Sequence, residues 1–520
     1  MNDQTPVRSD IPRSEAPRVV RLNPSDNVVV ATARIPAGTP VPGEDMTTAA
    51  DIPSGHKIAT RAIGRGEEVR KYGQIIGFAS ADIAAGDHVH TQNCAMGDFA
   101  RDYAFGAEAR ATEFVPESER ASFQGIVRHD GRVATRNYIG IVSTVNCSAT
   151  VARMIAAHFT PEKLAAWPNV DGVTAFVHGT GCGLADAGEG FDTLQRTMWG
   201  YVRHANCAGV LLVGLGCEVN QIRFLMEAYD LHDDRRFQHM TIQDWGGTRK
   251  AVEEGIRRVE AMLPFADEAR RETVSAEHLT LALQCGGSDA YSGITANPAL
   301  GAAADLLVRN GGTAILAETP EIYGAEHLLT RRAPDRAVGE KLIDRIRWWE
   351  DYTARNGGDM NNNPSPGNKA GGLTTILEKS LGAAAKGGTT DLVGVYKYAE
   401  PVTAKGFVFM DSPGYDPASI TGEVASGANI VCFTTGRGSV FGFKPAPSVK
   451  LATNTPMYER MADDMDVNCG EILSHGVGVQ EMGQRIFDVL LDVASGRKSK
   501  SEELGFGDNE FTPWVIGATM

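Results

Sequence analysis

Short apolar runs that break on polar, glycine-bearing loops and resume as amphipathic helices constrain this chain more than any other feature. Ile139–Val145 ends at Asn146-Cys147, with a helix expected over Ala149–His158. Val173–His178 ends at Gly179-Thr-Gly-Cys182, and Ala208–Gly214 ends at Leu215-Gly-Cys217-Glu218. Leu279–Leu283 ends at Cys285, and Thr313–Ala317 ends at Glu318. Strands alternating with helices imply βαβ units and a parallel sheet. In such a sheet the loops at the carboxyl ends of the strands share one edge, where ligands bind. The richest of these loops follows Leu279–Leu283. It holds Gly286 and Gly287, where backbone can approach a ligand closely, then Ser288 and Asp289. A second turn between Gly293 and Pro298 leads into a helix expected over Ala299–Val308.

Cys147, Cys182, Cys217 and Cys285 each stand just after a predicted strand. Thiolates gathered on one sheet edge suit iron, zinc or an iron–sulfur cluster. The competing reading is packing, since small buried cysteines are common in cores. Cys207 and Cys432 fit that second reading, because they fall inside helix and strand patterns. His178, Glu218, Asp289 and Glu318 are further donors close to the cysteine loops. The 8 cysteines include no CxxC pair and do not resemble a secreted disulfide framework, so a reduced, cytoplasmic protein is expected.

Net charge is −15, which argues against a nucleic-acid surface or an anionic membrane partner. A small anionic ligand would need a local basic pocket. Lys369, Arg437, Lys444 and Lys450 lie in glycine-rich or strand-end loops, and arginine offers a carboxylate a bidentate fork. Dinucleotide binding is disfavoured, because Leu184 and Val219 stand where a GxGxxG fingerprint needs its third glycine. The P-loop and HExxH patterns are absent, and no stretch is long and apolar enough to span a bilayer.

A chain of 520 residues is too long for one core, so several domains are expected. Residues 1–18 read as a polar, disordered tail. Residues 19–93 form a small, mainly β unit, with strands expected at Val28–Thr32, Val69–Tyr72 and Gln74–Ala79. His56, His88 and His90 sit at its turns, and the last two share a strand face. Residues 94–122 read as a linker with a weak helical stretch, 123–270 as a middle α/β domain, and 271–520 as a C-terminal domain. In the C-terminal domain a polar loop, Asn361–Gly372, precedes a helix at Leu373–Ala385. Gly406–Met410, Ile430–Phe433 and Val449–Asn454 follow as strands, and Val479–Ser495 as a helix. The final twenty residues look loosely held.

These motifs resemble the altronate/galactarate dehydratase family of sugar-acid dehydratases, from about Asn27 to about Ser495. The resemblance rests on Gly55-His-Lys57, Lys71-Tyr-Gly73, Gly214-Leu-Gly-Cys-Glu218 and Cys285-Gly-Gly-Ser-Asp289. It continues through Gly293-Ile-Thr-Ala-Asn-Pro298, Asn363-Pro-Ser-Pro-Gly-Asn-Lys369 and Phe433-Thr-Thr-Gly-Arg-Gly438. It implies an α/β protein with a small N-terminal β-clip (SAF-type) domain and a Rossmann-like, mostly parallel α/β body. The middle region would make dimer contacts, giving a homodimer. The family's cofactor would be Fe2+, with Mn2+ or an iron–sulfur cluster as alternatives. Ile322–Leu329 and Lys369–Gly372 look closest to altronate dehydratase, while Thr180 replaces a tyrosine of the family pattern. The implied reaction is loss of water from D-altronate to give 2-keto-3-deoxy-D-gluconate. The alternatives are galactarate dehydration, or another elimination resembling that of a sulfolactate sulfo-lyase. On this reading His56, Lys71 and Lys369 are catalytic, and Ser288, Asp289, Asn368 and Arg437 bind substrate. Cys147, Cys182, Cys217 and Cys285 hold the metal.

Overall fold

Alternation of small and branched apolar residues folds the N-terminal unit into two antiparallel sheets. The computed structural model describes residues 19–520, so the tail expected at 1–18 lies outside the described residues. One sheet joins Val19–Val20, Val28–Ala31, Lys57–Ala59 and His88–Val89. The other joins Glu68–Lys71, Gln74–Ala79 and Cys94–Ala95. Cys94, assigned above to the linker, pairs with Ala79 and is buried, so the β unit runs two residues further than expected. The linker holds only a 3-10 turn, Glu117–Glu119, in place of the weak helical stretch. Its backbone instead bonds the body: Gly106 N donates to Thr330 O and Val115 N to Arg309 O. Those bonds use groups that a helix would have paired internally.

The middle domain is a four-stranded parallel sheet in the order Gly172–Phe176, Tyr138–Ser143, Cys207–Gly214, Phe237–Thr241. Both faces are covered, which is why its strands read as near-continuous apolar runs. Ile139, Ile141, Leu211 and Val213 pack with Val151, Ile155 and Val259 from the helices Asn146–His158 and Thr248–Ala266. Val142, Val210 and Leu212 face the other way, onto Leu194, Met198 and Tyr201 of the helix Glu189–Val202. A small antiparallel sheet of Ser122–Val127, Val133–Ala134 and Arg271–Ser275 joins this domain to the next.

The C-terminal domain carries seven parallel strands. Their order is Leu392–Tyr396, Gly406–Met410, Thr313–Leu316, Thr280–Cys285, Ile430–Thr435, Ser448–Ala452, Val467–Asn468. The chain starts at the central strand Thr280–Cys285, builds outward on one side, and returns to build on the other. The strand order therefore switches direction between Thr280–Cys285 and Ile430–Thr435, and ligand crevices of open α/β sheets form at such points. The helices Ala296–Arg309 and Val479–Ala494 cover one face, so close together that a Cβ on Gly483 would stand 2.5 Å from Ala302 Cβ. The C-terminal segment is not loosely held as expected. Phe511 is buried against Phe176 and Tyr201, Trp514 stacks on Trp349 at 5.3 Å, and Met520 N donates to Gly183 O. Large aromatic area anchors a stretch whose hydrophilic look hid it. No helix among the described residues is long and apolar enough to cross a membrane.

Candidate active site

Two loops face each other at the switch point of the C-terminal sheet: Gly286-Gly-Ser-Asp289 and Gly436-Arg437. Gly436 N and Arg437 N both donate to Gly287 O, at 3.1 and 2.8 Å. Asp289 lies beneath them, buried, and its oxygens are filled by protein donors. Thr453 Oγ1 donates at 3.0 and 3.1 Å, Asn454 Nδ2 at 3.1 Å, and the backbone N–H of Ser292 at 2.9 Å. Burial pushes this carboxyl up, and those hydrogen bonds pull it partly back. A Cβ on Gly436 would stand 2.1 Å from Asp289 Cγ, so only glycine lets the arginine loop close over the carboxylate. Asp289, expected to contact substrate, is thus a loop organiser with its donors already in place. Asn368 is also an organiser. Its Nδ2 donates to Ser288 O at 2.8 Å, and its Oδ1 accepts from Ser365 N at 3.1 Å within a helix capping box. Ser288 itself is buried with no hydrogen-bond partner on its hydroxyl, and it lines a small cavity with Tyr72, Asp289, Glu378 and Lys379. Lys369 and Arg437 are cations without a side-chain hydrogen bond or ion pair among the described residues. Arg437 Cδ lies 3.3 Å from where a Cβ on Gly371 would be.

The β-clip domain docks into this crevice through the turn before His56. Gly55, at φ +84°, packs on Gly371 and Ala290, and a Cβ on Gly372 would stand 2.6 Å from Gly55 O. Tyr291 Oη donates to Ala31 O at 3.0 Å across the same contact. The approach places His56 Nε2 3.4 Å from Ala370 O, next door to Lys369. His88 and His90 complete a cluster with it. His56 Nδ1 and His88 Nε2 are 2.9 Å apart, and one ring nitrogen from each of the three lies within 4.8 Å of the others. Burial lowers all three imidazoles, His88 and His90 to about 4, so they are neutral at pH 7 and carry free lone pairs. His90 Nδ1 is buried with no partner. Three neutral imidazoles, one with an orphaned nitrogen, form a donor set suited to a divalent transition metal. His88 and His90 were not among the expected site residues. Their shared strand face was visible in the sequence, but their convergence on His56 depends on strand pairing across the domain.

Lys71 is buried behind the Ser288–Asp289 loop, where its partner Glu378 lines the same small cavity, and cannot serve as an exposed acid or base. Its Nζ donates to Glu378 Oε1 at 2.9 Å, and Lys57 Nζ donates to the same carboxylate at 3.1 and 2.9 Å. All three side chains are buried. Burial opposes charge on Lys71, yet Tyr72 and Glu378 beside it hold its ammonium above the ordinary range. Burial likewise opposes charge on Glu378, and the two ammonium groups keep its carboxyl far below the usual carboxylate range.

Cys285 faces a different buried group. Lys386 Nζ donates to its sulfur at 3.0 Å, Glu321 Oε2 lies at 3.6 Å and Glu318 Oε2 at 3.9 Å. Lys379 donates to Glu321 at 2.6 Å. Burial pushes the thiol up to about 12, and it also raises Glu318 and Asp416. Lys386 Nζ sits between the sulfur and Glu318, 3.3 Å from Glu318 Oε2, and Lys379 holds Glu321 through its other oxygen, so the protein's own ammonium groups already neutralise this donor set and a metal would have to displace Lys386. The expectation that Cys285 shares a metal site with Cys147, Cys182 and Cys217 is corrected on a second ground. Those three follow strands of the other sheet and are exposed, whereas Cys285 is buried. Among the described residues no group of donors within 4.8 Å includes three of the four. Cys207 and Cys432 are buried, as expected of packing residues.

Models of three domain families cover nearly the whole chain. The altronate/galactarate dehydratase SAF domain matches residues 17–97, and the D-galactarate dehydratase/altronate hydrolase second domain matches 125–267. The D-galactarate/altronate dehydratase C-terminal domain matches 276–519. An altronate dehydratase of Bacillus subtilis (strain 168) is 34% identical over 503 residues, which is 96% of this chain and 99% of the relative. A galactarate dehydratase (L-threo-forming) of Escherichia coli (strain K12) is 35% identical over 496 residues, 94% of this chain and 95% of the relative. A (2R)-sulfolactate sulfo-lyase subunit beta of Chromohalobacter salexigens is 32% identical over 400 residues, 75% of this chain and 96% of the relative. With all three domains matched in order and full-length relatives above thirty per cent identity, the chain belongs to the altronate/galactarate dehydratase family.

Proposed function

We propose that this protein is a hydro-lyase that removes water from a six-carbon sugar acid, altronate in the first place, to give 2-keto-3-deoxygluconate. The observation that carries this reading is the domain contact at Lys369–Gly372: Arg437 Cδ lies 3.3 Å from where a Cβ on Gly371 would be, Gly55 packs on the same glycine, and His56 Nε2 lies 3.4 Å from Ala370 O, so an unpaired lysine, an unpaired arginine and three neutral histidines belong to one neighbourhood. A polyhydroxy carboxylate needs both a carboxylate clamp and help at its carbon–oxygen bonds. Arg437 presents a planar fork for the carboxylate, and the Ser288 hydroxyl is free to bond a substrate hydroxyl. Lys369, as the general base, takes the proton from carbon 2 and passes it to the departing carbon 3 hydroxyl, which leaves as water. The enol that remains takes a proton at carbon 3 and becomes the 2-keto acid. His56, His88 and His90 would hold Fe2+, which when bound would supply a Lewis acid next to the developing negative charge. The unpaired state of all eight cysteines suits a reducing cytoplasm, and we infer a homodimer formed through the middle domain.

The test is turnover by protein handled without oxygen and supplied with iron. Altronate should yield a 2-keto-3-deoxy acid that carries deuterium at carbon 3 when formed in heavy water. Lys369→Met should lower kcat by about a thousandfold, within the usual contribution of a positioned acid–base group, while substrate still binds. The galactarate relative is as similar as the altronate one, so turnover of galactarate alone would move the substrate and keep the chemistry. A protein that acts only on a sulfonated hydroxy acid would refute water loss.

A further inference from the structure

A cavity opens where the middle and C-terminal domains meet, at the carboxyl end of the edge strand Leu392–Tyr396. It measures about 430 Å3, within the range of about 300–1,000 Å3 usual for small-ligand sites. The helix Arg336–Arg355 forms one wall and the turn after Tyr396 another, and Arg196 of the helix Glu189–Val202 closes it from the middle domain. Leu392–Tyr396 is the third strand out from Thr280–Cys285, so about 14 Å of sheet separates this cavity from the crevice at the switch point.

Four of the side chains lining it are cations, Arg196, Lys341, Arg345 and Lys397, and two are carboxylates, Asp344 and Glu400. In a chain of net charge −15 such a surplus stands out, and inside a cleft it focuses the local potential. Lys341 and Arg345 stand one turn apart on their helix, a spacing at which like charges repel. Arg196 and Lys397 come to the same place from distant parts of the chain. The carboxylates have partners of their own. Asp344 lies 3.6 Å from Arg347, and Glu400 Oε2 accepts from Lys397 N at 2.8 Å. Among the described residues the ammonium groups of Lys341 and Lys397 have no hydrogen bond or ion pair. Arg345 is 3.8 Å from Asp411, too far for a hydrogen bond, so its donors stay free. Arg196 donates to Tyr398 O through Nε at 3.3 Å and Nη2 at 3.1 Å, which fixes its planar group and leaves Nη1 unpaired. The turn that presents Lys397 and Glu400 is itself strained. Ala399 has φ +58°, in the left-handed region that residues with a Cβ seldom adopt. Glu400 N donates to Lys397 O at 3.1 Å, and Tyr396 Oη accepts from Ala404 N at 3.0 Å, so the surroundings hold the turn in that shape.

We propose that this cavity binds a phosphate monoester of a small polyol, with the phosphate among the four cations and the carbon skeleton against Val395 and Tyr396. A phosphate monoester carries close to two negative charges on one group, matching the excess of cations over carboxylates, and arginine forks suit its oxygens. Val395 and Tyr396 are partly buried and supply the apolar wall. The bound ester ties Arg196 to the C-terminal domain and so fastens the two domains together. The site does not rest on the reaction proposed for the crevice. Full-length protein in phosphate-free buffer is titrated by calorimetry with glycerol 3-phosphate, and separately with the dicarboxylate L-tartrate, at an ionic strength fixed with sodium chloride. Wild type should bind one equivalent of the ester, at least about tenfold more tightly than tartrate. The double variant Lys341→Gln/Lys397→Gln should bind the ester at least about tenfold more weakly, through loss of two charge-assisted contacts. Its melting temperature without ligand should match wild type, because both lysines are exposed. Each single lysine variant should show part of the loss. Lys369→Met should bind the ester as wild type does, which separates this site from the crevice. Wild type that shows no saturable binding at millimolar ester overturns the proposal whatever the variants do. So does binding that survives in the double variant, binding that Lys369→Met abolishes, or equal affinity for tartrate.

Discussion

Replacing Glu378 by glutamine isolates the bond between the β-clip domain and the body. Glu378 comes from the helix Ile376–Ala384, while Lys57 and Lys71 come from β-clip strands. The carboxylate accepts both ammonium groups at 2.9 to 3.1 Å, and Thr374 donates to it through N at 2.9 Å and Oγ1 at 2.8 Å. Lys57 also donates to Gly372 O at 2.7 Å. The side chains of Lys57 and Glu378 are 0% exposed and that of Lys71 is 1%, so water cannot replace a lost partner. Removing one member of a buried ion pair costs about 3–5 kcal/mol, and here two ammonium groups are stranded together. Glu378→Gln should therefore lose about 4 kcal/mol at pH 7, the middle of that range. Burial already lowers Lys57, so it is the group that should give up its proton in the variant. The deficit should shrink as pH rises toward 10, because one of the two repelling charges disappears. Wild type should show no such recovery, since Glu378 remains ionised across that range. Urea unfolding followed through the β-clip transition, at pH 7 and pH 10, measures both quantities. A loss below about 1 kcal/mol at pH 7, the size of an exposed pair, would refute the claim that this triad is a dry clamp.

Two further outcomes follow from the crevice. His88 and His90 titrate near 4 in the folded metal-free protein, below their ordinary value of 6.5, so the unfolded chain takes up protons first as pH falls. Their stabilising contribution should be whole above about pH 6.5 and drain away toward pH 4, and His88→Ala should show a shallower fall in melting temperature over that window than wild type. Arg437→Lys keeps the charge and loses the fork, so KM for the sugar acid should rise about tenfold with kcat nearly unchanged; equal losses in kcat and kcat/KM would place Arg437 in the chemical step instead.

Strand–loop–helix punctuation made the body legible. The runs at Leu279–Leu283 and Thr313–Ala317 became parallel neighbours, and the loops after Cys285 and Thr435 met at one crevice. Gly436 and Gly371 show why the glycines in those motifs matter, because neighbouring side chains fill the space a Cβ would need. What the sequence could not display was strand order. It assigns Cys285 to one sheet and Cys147, Cys182 and Cys217 to another, although all four follow similar runs. Lys71 looked like an available amine because its partner stands 307 residues away along the chain. His88 and His90 were legible as a pair on one strand face, but not as partners of His56, 32 residues from His88.

The docking of a turn from one domain into the crevice of another has a kinetic consequence. The strap from residue 96 to 121 is fastened along the body by Gly106, Glu108 and Val115. It holds the β-clip domain at a high effective concentration over its seat, far above any cellular concentration of free chains. Docking then needs only a modest intrinsic affinity, and assembly of the crevice is a first-order event, indifferent to how dilute the protein becomes. Cutting the strap would turn the same contacts into a bimolecular association, and the completeness of the crevice would begin to depend on dilution.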